Sequence, residues 1–120
     1  MELFALVIAL AWAIGCDIYD VTLTEKGIKA GVAVEGNTFL VSSKPSAVAL
    51  YLRDSLVTGI AATPCVLACI LHSQPLFWGF LIAPVLSGVK HILGGRQWAT
   101  LLAGGTVTPP STWWEKLLQG

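Results

Sequence analysis

The sequence predicts an all-α integral membrane protein, a helical bundle of three transmembrane helices followed by a C-terminal interfacial helix. Composition is the first ground: 55% of the residues are hydrophobic and only 12% charged, where soluble domains carry roughly 25% charged residues. The second is that the apolar residues gather in three long runs, each meeting the ~20 residues that a ~30 Å hydrocarbon core demands. The third is the distribution of Lys and Arg, which places six of them on one side of such a bundle. With 120 residues and a mean hydropathy of +0.75, the chain reads as a single membrane domain over residues 1–120. Its net charge is zero and it has no basic run, so nothing neutralises nucleic-acid phosphates and no nucleic-acid partner is expected.

The first span, residues 3–24, is rich in helix formers as far as Cys16. Glu2 stands where a secretory leader would carry Lys or Arg, which favours a span over a cleaved signal. The second span, residues 45–72, opens on Pro45, a residue suited to a first helical position. The third, residues 75–93, is expected to stop at Gly94-Gly95. His72-Ser73-Gln74 is short enough to make spans two and three antiparallel neighbours. Pro64 and Pro84 lie mid-span and withdraw the hydrogen bonds owed to the carbonyls of Ile60 and Phe80, so a kink is expected at each.

Residues 97–119 are expected to stay at the membrane surface. The apolar stretch 97–103 ends at Gly104-Gly105, and Pro109-Pro110 follows, which leaves a re-entrant or surface segment rather than a fourth span. Residues 111–118 then read as a short capped helix whose Trp113 and Trp114 suit the headgroup level. Lys26, Lys29 and Lys44 fall between spans one and two, while Lys90, Arg96 and Lys116 accompany and follow the close of span three. The positive-inside rule therefore predicts an N-terminus outside and a cytoplasmic C-terminus.

Against this apolar background the ionisable residues carry the functional signal. Asp17 and Asp20 lie in the first span and Arg53 and Asp54 in the second. A charge at the centre of a membrane helix costs ~2.5–3.5 kcal/mol on insertion scales, so such groups require partners, water or a ligand. Asp17 and Arg53 sit at matching depths, ~10–12 Å from the cytoplasmic face at 1.5 Å per residue, and His91 lies somewhat shallower. A salt bridge from Asp17 or Asp20 to Arg53 is expected, with Asp54 turned ~100° away toward Lys90. Asp17 and Asp20 share a helix face; with His91 they are the candidates for holding a cation or relaying a proton. Small residues at every fourth position mark helix-packing stripes: Ala5, Ala9 and Ala13; Ser55, Gly59 and Thr63; Gly79, Ala83 and Ser87. Cys16, Cys65 and Cys69 read as packing residues, since a zinc site would call for a further Cys pair.

The connection between spans one and two is apolar over residues 31–41 for a loop. Either it dips toward the cluster and brings Glu35 and Asn37 with it, or it lies at the interface with Glu35 in solvent. Asp20-x3-Thr24 near the end of a first span, followed by Glu35-Gly36-Asn37 ahead of a second, resembles uncharacterised small prokaryotic integral-membrane families with Asp-x3-Thr and Glu-x-Asn motifs, classed as domains of unknown function. The resemblance covers residues 14–55, with Thr38 where Pro is usual, and implies a helical membrane bundle without an activity to carry over.

No Ser-x-x-Lys, His-Glu-x-x-His, Gly-x-Ser-x-Gly or phosphate-loop pattern occurs, and a membrane-embedded hydrolase using the same carboxylates is the weakest reading. The leading expectation is a non-enzymatic subunit or structural partner of a membrane assembly, whose partners are the lipid bilayer and either further copies of itself or other membrane-protein subunits. The alternative is a small oligomeric ion, proton or metal carrier built on the acidic cluster, with a cation as the one bound group.

Overall fold

The computed structural model describes residues 1–119, so that Gly120 of the expected domain lies outside it. Five helices follow one another: α1 (Glu2–Ala30), α2 (Ala47–Ile70), α3 (Gln74–Phe80), α4 (Ile82–Leu102) and α5 (Trp113–Gln119). Three helical stretches, the third being α3 and α4 together, are long and apolar enough to cross a membrane.

α1 buries one stripe, with Leu6, Ala9, Ala13, Asp17, Val21 and Thr24 recurring every three or four residues, the period of a single helix face. It runs six residues beyond the expected end at Thr24. A Lys29–Glu25 pair at 2.7 Å supports its last turn, and the chain leaves it through Gly31 at φ 72°. α2 begins two residues later than expected, because Pro45 precedes the cap: the Ser46 hydroxyl oxygen accepts from the Ala49 N–H at 3.1 Å. At the far end His72 adopts φ 56°, and its N–H and that of Ser73 bond back to the Cys69 and Ala68 carbonyls. This closing pattern satisfies the last carbonyls of α2 and turns the chain tightly into α3.

The two mid-helix prolines act differently. Helix α2 passes through Pro64 unbroken. Beside it the Thr63 hydroxyl donates to the Gly59 carbonyl at 2.8 Å and adds a bond to the turn that loses one. Pro84 cannot donate to Phe80, and there the third stretch divides into α3 and α4, with Leu81 between them.

The larger correction concerns Gly94-Gly95. These glycines do not stop the helix; α4 continues to Leu102, and residues 97–102 are its last turns rather than a separate re-entrant piece. A Cβ on Gly95 would overlap the Tyr19 ring, and Gly94 faces the Asp20 carboxylate, so the pair lets α4 approach α1. The true terminator is Gly104, at φ 83°, where the N–H groups of Gly104 and Gly105 return to the Leu101 and Thr100 carbonyls.

Contacts fix the relative directions. Phe77 joins Leu6 in the apolar core with Cys65 and Ala68, whereas Gly95 meets Tyr19 and Trp98 covers Gly27. α4 therefore runs parallel to α1, and α2 antiparallel to both. The apolar core lies at one end of this three-helix body, and the polar residues lie at the other. Exposure divides the small-residue stripes: Ala9 and Ala13 are buried, whereas Ser55, Gly59, Thr63 and Gly79 face outward.

α5 is capped as expected. Thr112 Oγ1 accepts from the Glu115 N–H, and Glu115 Oε2 accepts in return from the N–H groups of Ser111 and Thr112, a reciprocal capping box. Those backbone donors hold the Glu115 carboxyl below its usual range.

Candidate functional site

Five ionisable groups from three helices, Asp17, Asp20, Arg53, Asp54 and His91, meet where α1, α2 and α4 converge. Asp17 and Asp20, three residues apart on α1, both turn toward α4. His91 stands between them, its Nδ1 2.9 Å from Asp20 Oδ2 and 3.7 Å from Asp17 Oδ1. Thr24, one turn beyond Asp20, donates its hydroxyl to Asp20 Oδ1 at 3.4 Å. Gly94, three residues after His91, removes the side chain that would otherwise displace the Asp20 carboxylate.

The arginine does not pair as the equal-depth argument predicts. Arg53 Nε donates to Asp54 Oδ1 at 2.7 Å, and Nη1 donates to the Asn37 carbonyl at 2.8 Å. Among the described residues Arg53 makes no ion pair with Asp17 or Asp20, and Lys90 makes none with Asp54. The ~100° between successive helical side chains describes where Cβ vectors point. A long guanidinium side chain folds back across that angle, and the Asn37 carbonyl gives its other end a reason to do so.

Asp54 is thereby oriented. One oxygen is held by Arg53 and the other, Oδ2, is turned to the α1 side of the cluster. Asp54 is 6% exposed and Asp17 9% exposed, yet Asp54 Oδ2 and Asp17 Oδ1 have no hydrogen-bond partner. One donor atom from each of Asp17, Asp54 and His91 lies within 4.8 Å of the others. Buried polar atoms are almost always satisfied, so the two unpartnered carboxylate oxygens stand out here. The sequence-predicted trio for holding a cation was Asp17, Asp20 and His91. The residues whose donor atoms come within 4.8 Å of one another are Asp17, Asp54 and His91, while the Asp20 carboxylate holds the imidazole.

The loop of residues 31–46 comes to the cluster. Ala33, Glu35 and Asn37 are half-buried, while Val32, Val34 and Gly36 between them are exposed. Glu35 Oε1 accepts from the Asn37 N–H at 2.9 Å, Asn37 Oδ1 accepts from the Phe39 N–H at 3.2 Å, and the Glu35 N–H donates to the Ser43 carbonyl at 2.8 Å. These local bonds substitute for regular structure and present the Asn37 carbonyl to Arg53. Burial pushes the Glu35 carboxyl above its ordinary value, against the Asn37 N–H and the Arg53 charge, which pull it down.

That direction sets a pH dependence. A carboxyl raised in the folded protein favours its protonated form there, so its contribution to stability is complete below about 4.5, the ordinary value, and is lost as pH rises through the folded value. Glu35→Gln keeps the acceptor and removes the titration. The variant should match the parent in thermal melts near pH 4 and exceed it near neutrality; parallel melting curves at all pH values would contradict this.

Two cavities reach the cluster. One, of about 130 Å³, lies under the loop and is lined by Asp20, Glu35, Asn37, Asp54, Lys90 and His91 among others, a polar space large enough for water. The other, of about 230 Å³, lies between α1 and α2 and is lined by Leu10, Ala13, Asp17, Asp54, Thr58 and Gly59 among others. Asp54 borders both. Sequence reasoning missed Gln97 and Trp98 of the first cavity, although Trp98 lies seven residues after His91, on the same helix face, which was the available signal.

Comparison of the chain with family models, curated proteins and solved structures finds no match.

Proposed function

We propose that the protein is a small membrane carrier that binds a cation between Asp17 and Asp54 and passes it between the two cavities that flank them. The observation that carries this reading is the pair of unpartnered oxygens, Asp17 Oδ1 and Asp54 Oδ2, buried between α1 and α2. Three carboxylates, Asp17, Asp20 and Asp54, face one guanidinium there. His91 stands beside them and Lys90 lines the adjoining cavity, at a depth where an uncompensated charge is costly. Asp54 borders both cavities, which supports a route for an ion past the site.

Reconstitution into liposomes with an internal pH- or metal-sensitive dye tests it. Flux of protons or divalent cations should appear with the intact protein and fall at least ~100-fold in Asp17→Asn. Unchanged flux in Asp17→Asn, or none in the parent, overturns the carrier reading.

A second reading is favoured by the outward-facing Ser55, Gly59 and Thr63 on α2: the protein serves as a non-enzymatic subunit or structural partner in a membrane assembly. Small residues at such spacing admit close helix approach, and three helices do not by themselves enclose a pathway, so the carrier too would work as an oligomer. A strictly monomeric species in mass photometry in mild detergent, with no co-purifying partner, would sink the assembly reading. In either case the α1 C-terminus, the α2 N-terminus and the α4 C-terminus lie at one end with Lys26, Lys29, Lys44 and Arg96, which supports placing that end in the cytoplasm.

A further inference from the structure

We infer that the cation is a divalent transition metal of zinc-like preference, held by Asp17, Asp54 and a ring nitrogen of His91; this deepens the carrier reading and rests on it. Each spanning stretch contributes one donor: α1 through Asp17, α2 through Asp54, α4 through His91. Their donor atoms lie within 4.8 Å of one another, and ligands ~2.0–2.2 Å from a common ion stand roughly 3–4.4 Å apart.

The surroundings of the donors separate a binding site from a chance meeting of acids. Metal-binding His and carboxylate groups are as a rule held by further partners that orient them. Here Arg53 holds Asp54 by Oδ1 and leaves Oδ2 without a partner. Asp20 Oδ2 accepts from His91 Nδ1 at 2.9 Å, which occupies that nitrogen and leaves Nε2 as the one free to ligate.

Donor chemistry narrows the ion. A nitrogen beside two carboxylate oxygens favours zinc, cobalt, iron or manganese over the oxygen-seeking magnesium and calcium. Three protein donors leave a coordination position for water, as in exchangeable sites rather than closed structural ones.

The experiment uses the full chain in nanodiscs, stripped with chelator and titrated with Zn²⁺ by calorimetry and with Co²⁺ by visible absorption, with Mg²⁺ and Ca²⁺ as comparisons. One Zn²⁺ per chain is expected, Mg²⁺ and Ca²⁺ at least ~100-fold weaker, and Co²⁺ absorption bands of a mixed oxygen–nitrogen site. Asp54→Asn and His91→Gln should each weaken Zn²⁺ binding ~100-fold or more. Asp20→Asn, which disturbs only the orienting carboxylate, should weaken it ~10–100-fold, and His72→Gln, at the far end of the bundle, should leave it unchanged. Should Asp54→Asn fold poorly, the Co²⁺ bands of His91→Gln carry the same question, since losing the nitrogen donor shifts them. Zn²⁺ binding that survives both Asp54→Asn and His91→Gln, or disappears with His72→Gln, overturns the assignment. Absence of Zn²⁺ binding alongside proton flux that Asp17→Asn abolishes also overturns it while leaving the carrier reading standing; absence of both removes the two together.

Discussion

Arg53→Leu is expected to destabilise the protein by ~3–5 kcal/mol, the usual cost of stranding one member of a buried ion pair. The pair is local, with Arg53 Nε 2.7 Å from Asp54 Oδ1 and both side chains under a tenth exposed. Removing the guanidinium takes from Asp54 its ion-pair partner and frees the Asn37 carbonyl from its side-chain donor. Arg53→Leu combined with Asp54→Leu removes both charges and should recover most of the loss. Arg53→Leu combined with Asp17→Leu should recover less, because Arg53 and Asp17 are not bonded and Asp54 stays stranded. A double-mutant cycle in detergent unfolding resolves the three cases. Additive losses for Arg53 and Asp54 would show that the pair contributes nothing, and strong coupling of Arg53 to Asp17 would restore the arrangement that equal depth alone implies.

How far the sequence could be read depended on whether a signal was local or tertiary. The three long helices were legible because the length and apolarity of a span are properties of one segment. So was the capped helix α5, set within a few residues. Gly94-Gly95 has the same local signature as Gly104-Gly105 and the opposite role. What separates them is Tyr19 and Asp20, more than seventy positions away in the chain, against which Gly94 and Gly95 pack. The cluster was legible in membership, since ionisable residues in apolar runs announce themselves, but its pairing was not. Arg53 could satisfy several carboxylates from its position on α2. The choice of Asp54 depends on the loop presenting the Asn37 carbonyl, and no helical-wheel argument contains that loop. The same blind spot hid the place of Asp54: face-sharing on α1 ranks Asp17 with Asp20, while the carboxylate that comes within 4.8 Å of both Asp17 and His91 arrives from another helix.

Gly95→Leu is expected to be damaging, with consequences that reach the site. Its Cβ would overlap the Tyr19 ring, and a rigid aromatic ring yields less readily than a flexible chain. Overpacking of this kind costs ~1–3 kcal/mol and occasionally more, and the simplest relief is separation of α4 from α1. His91 precedes Gly95 by four residues, about one helical turn or ~5–6 Å, so the same separation withdraws the imidazole from Asp20 and Asp17. Gly95→Leu should therefore lower both the melting temperature and the affinity for Zn²⁺ or the cation flux. Tyr19→Ala added to it should restore both, since removing the ring restores the approach. Gly104→Ala makes the contrasting case: it strains a left-handed residue by ~1–2 kcal/mol at a helix end remote from the cluster, so stability should fall while cation binding stays as it was. Equal loss of binding in Gly104→Ala and Gly95→Leu at matched stability would mean that the site responds to general weakening of the fold. Loss confined to Gly95→Leu, and reversed by Tyr19→Ala, would tie the geometry of the cluster to the closeness of α1 and α4.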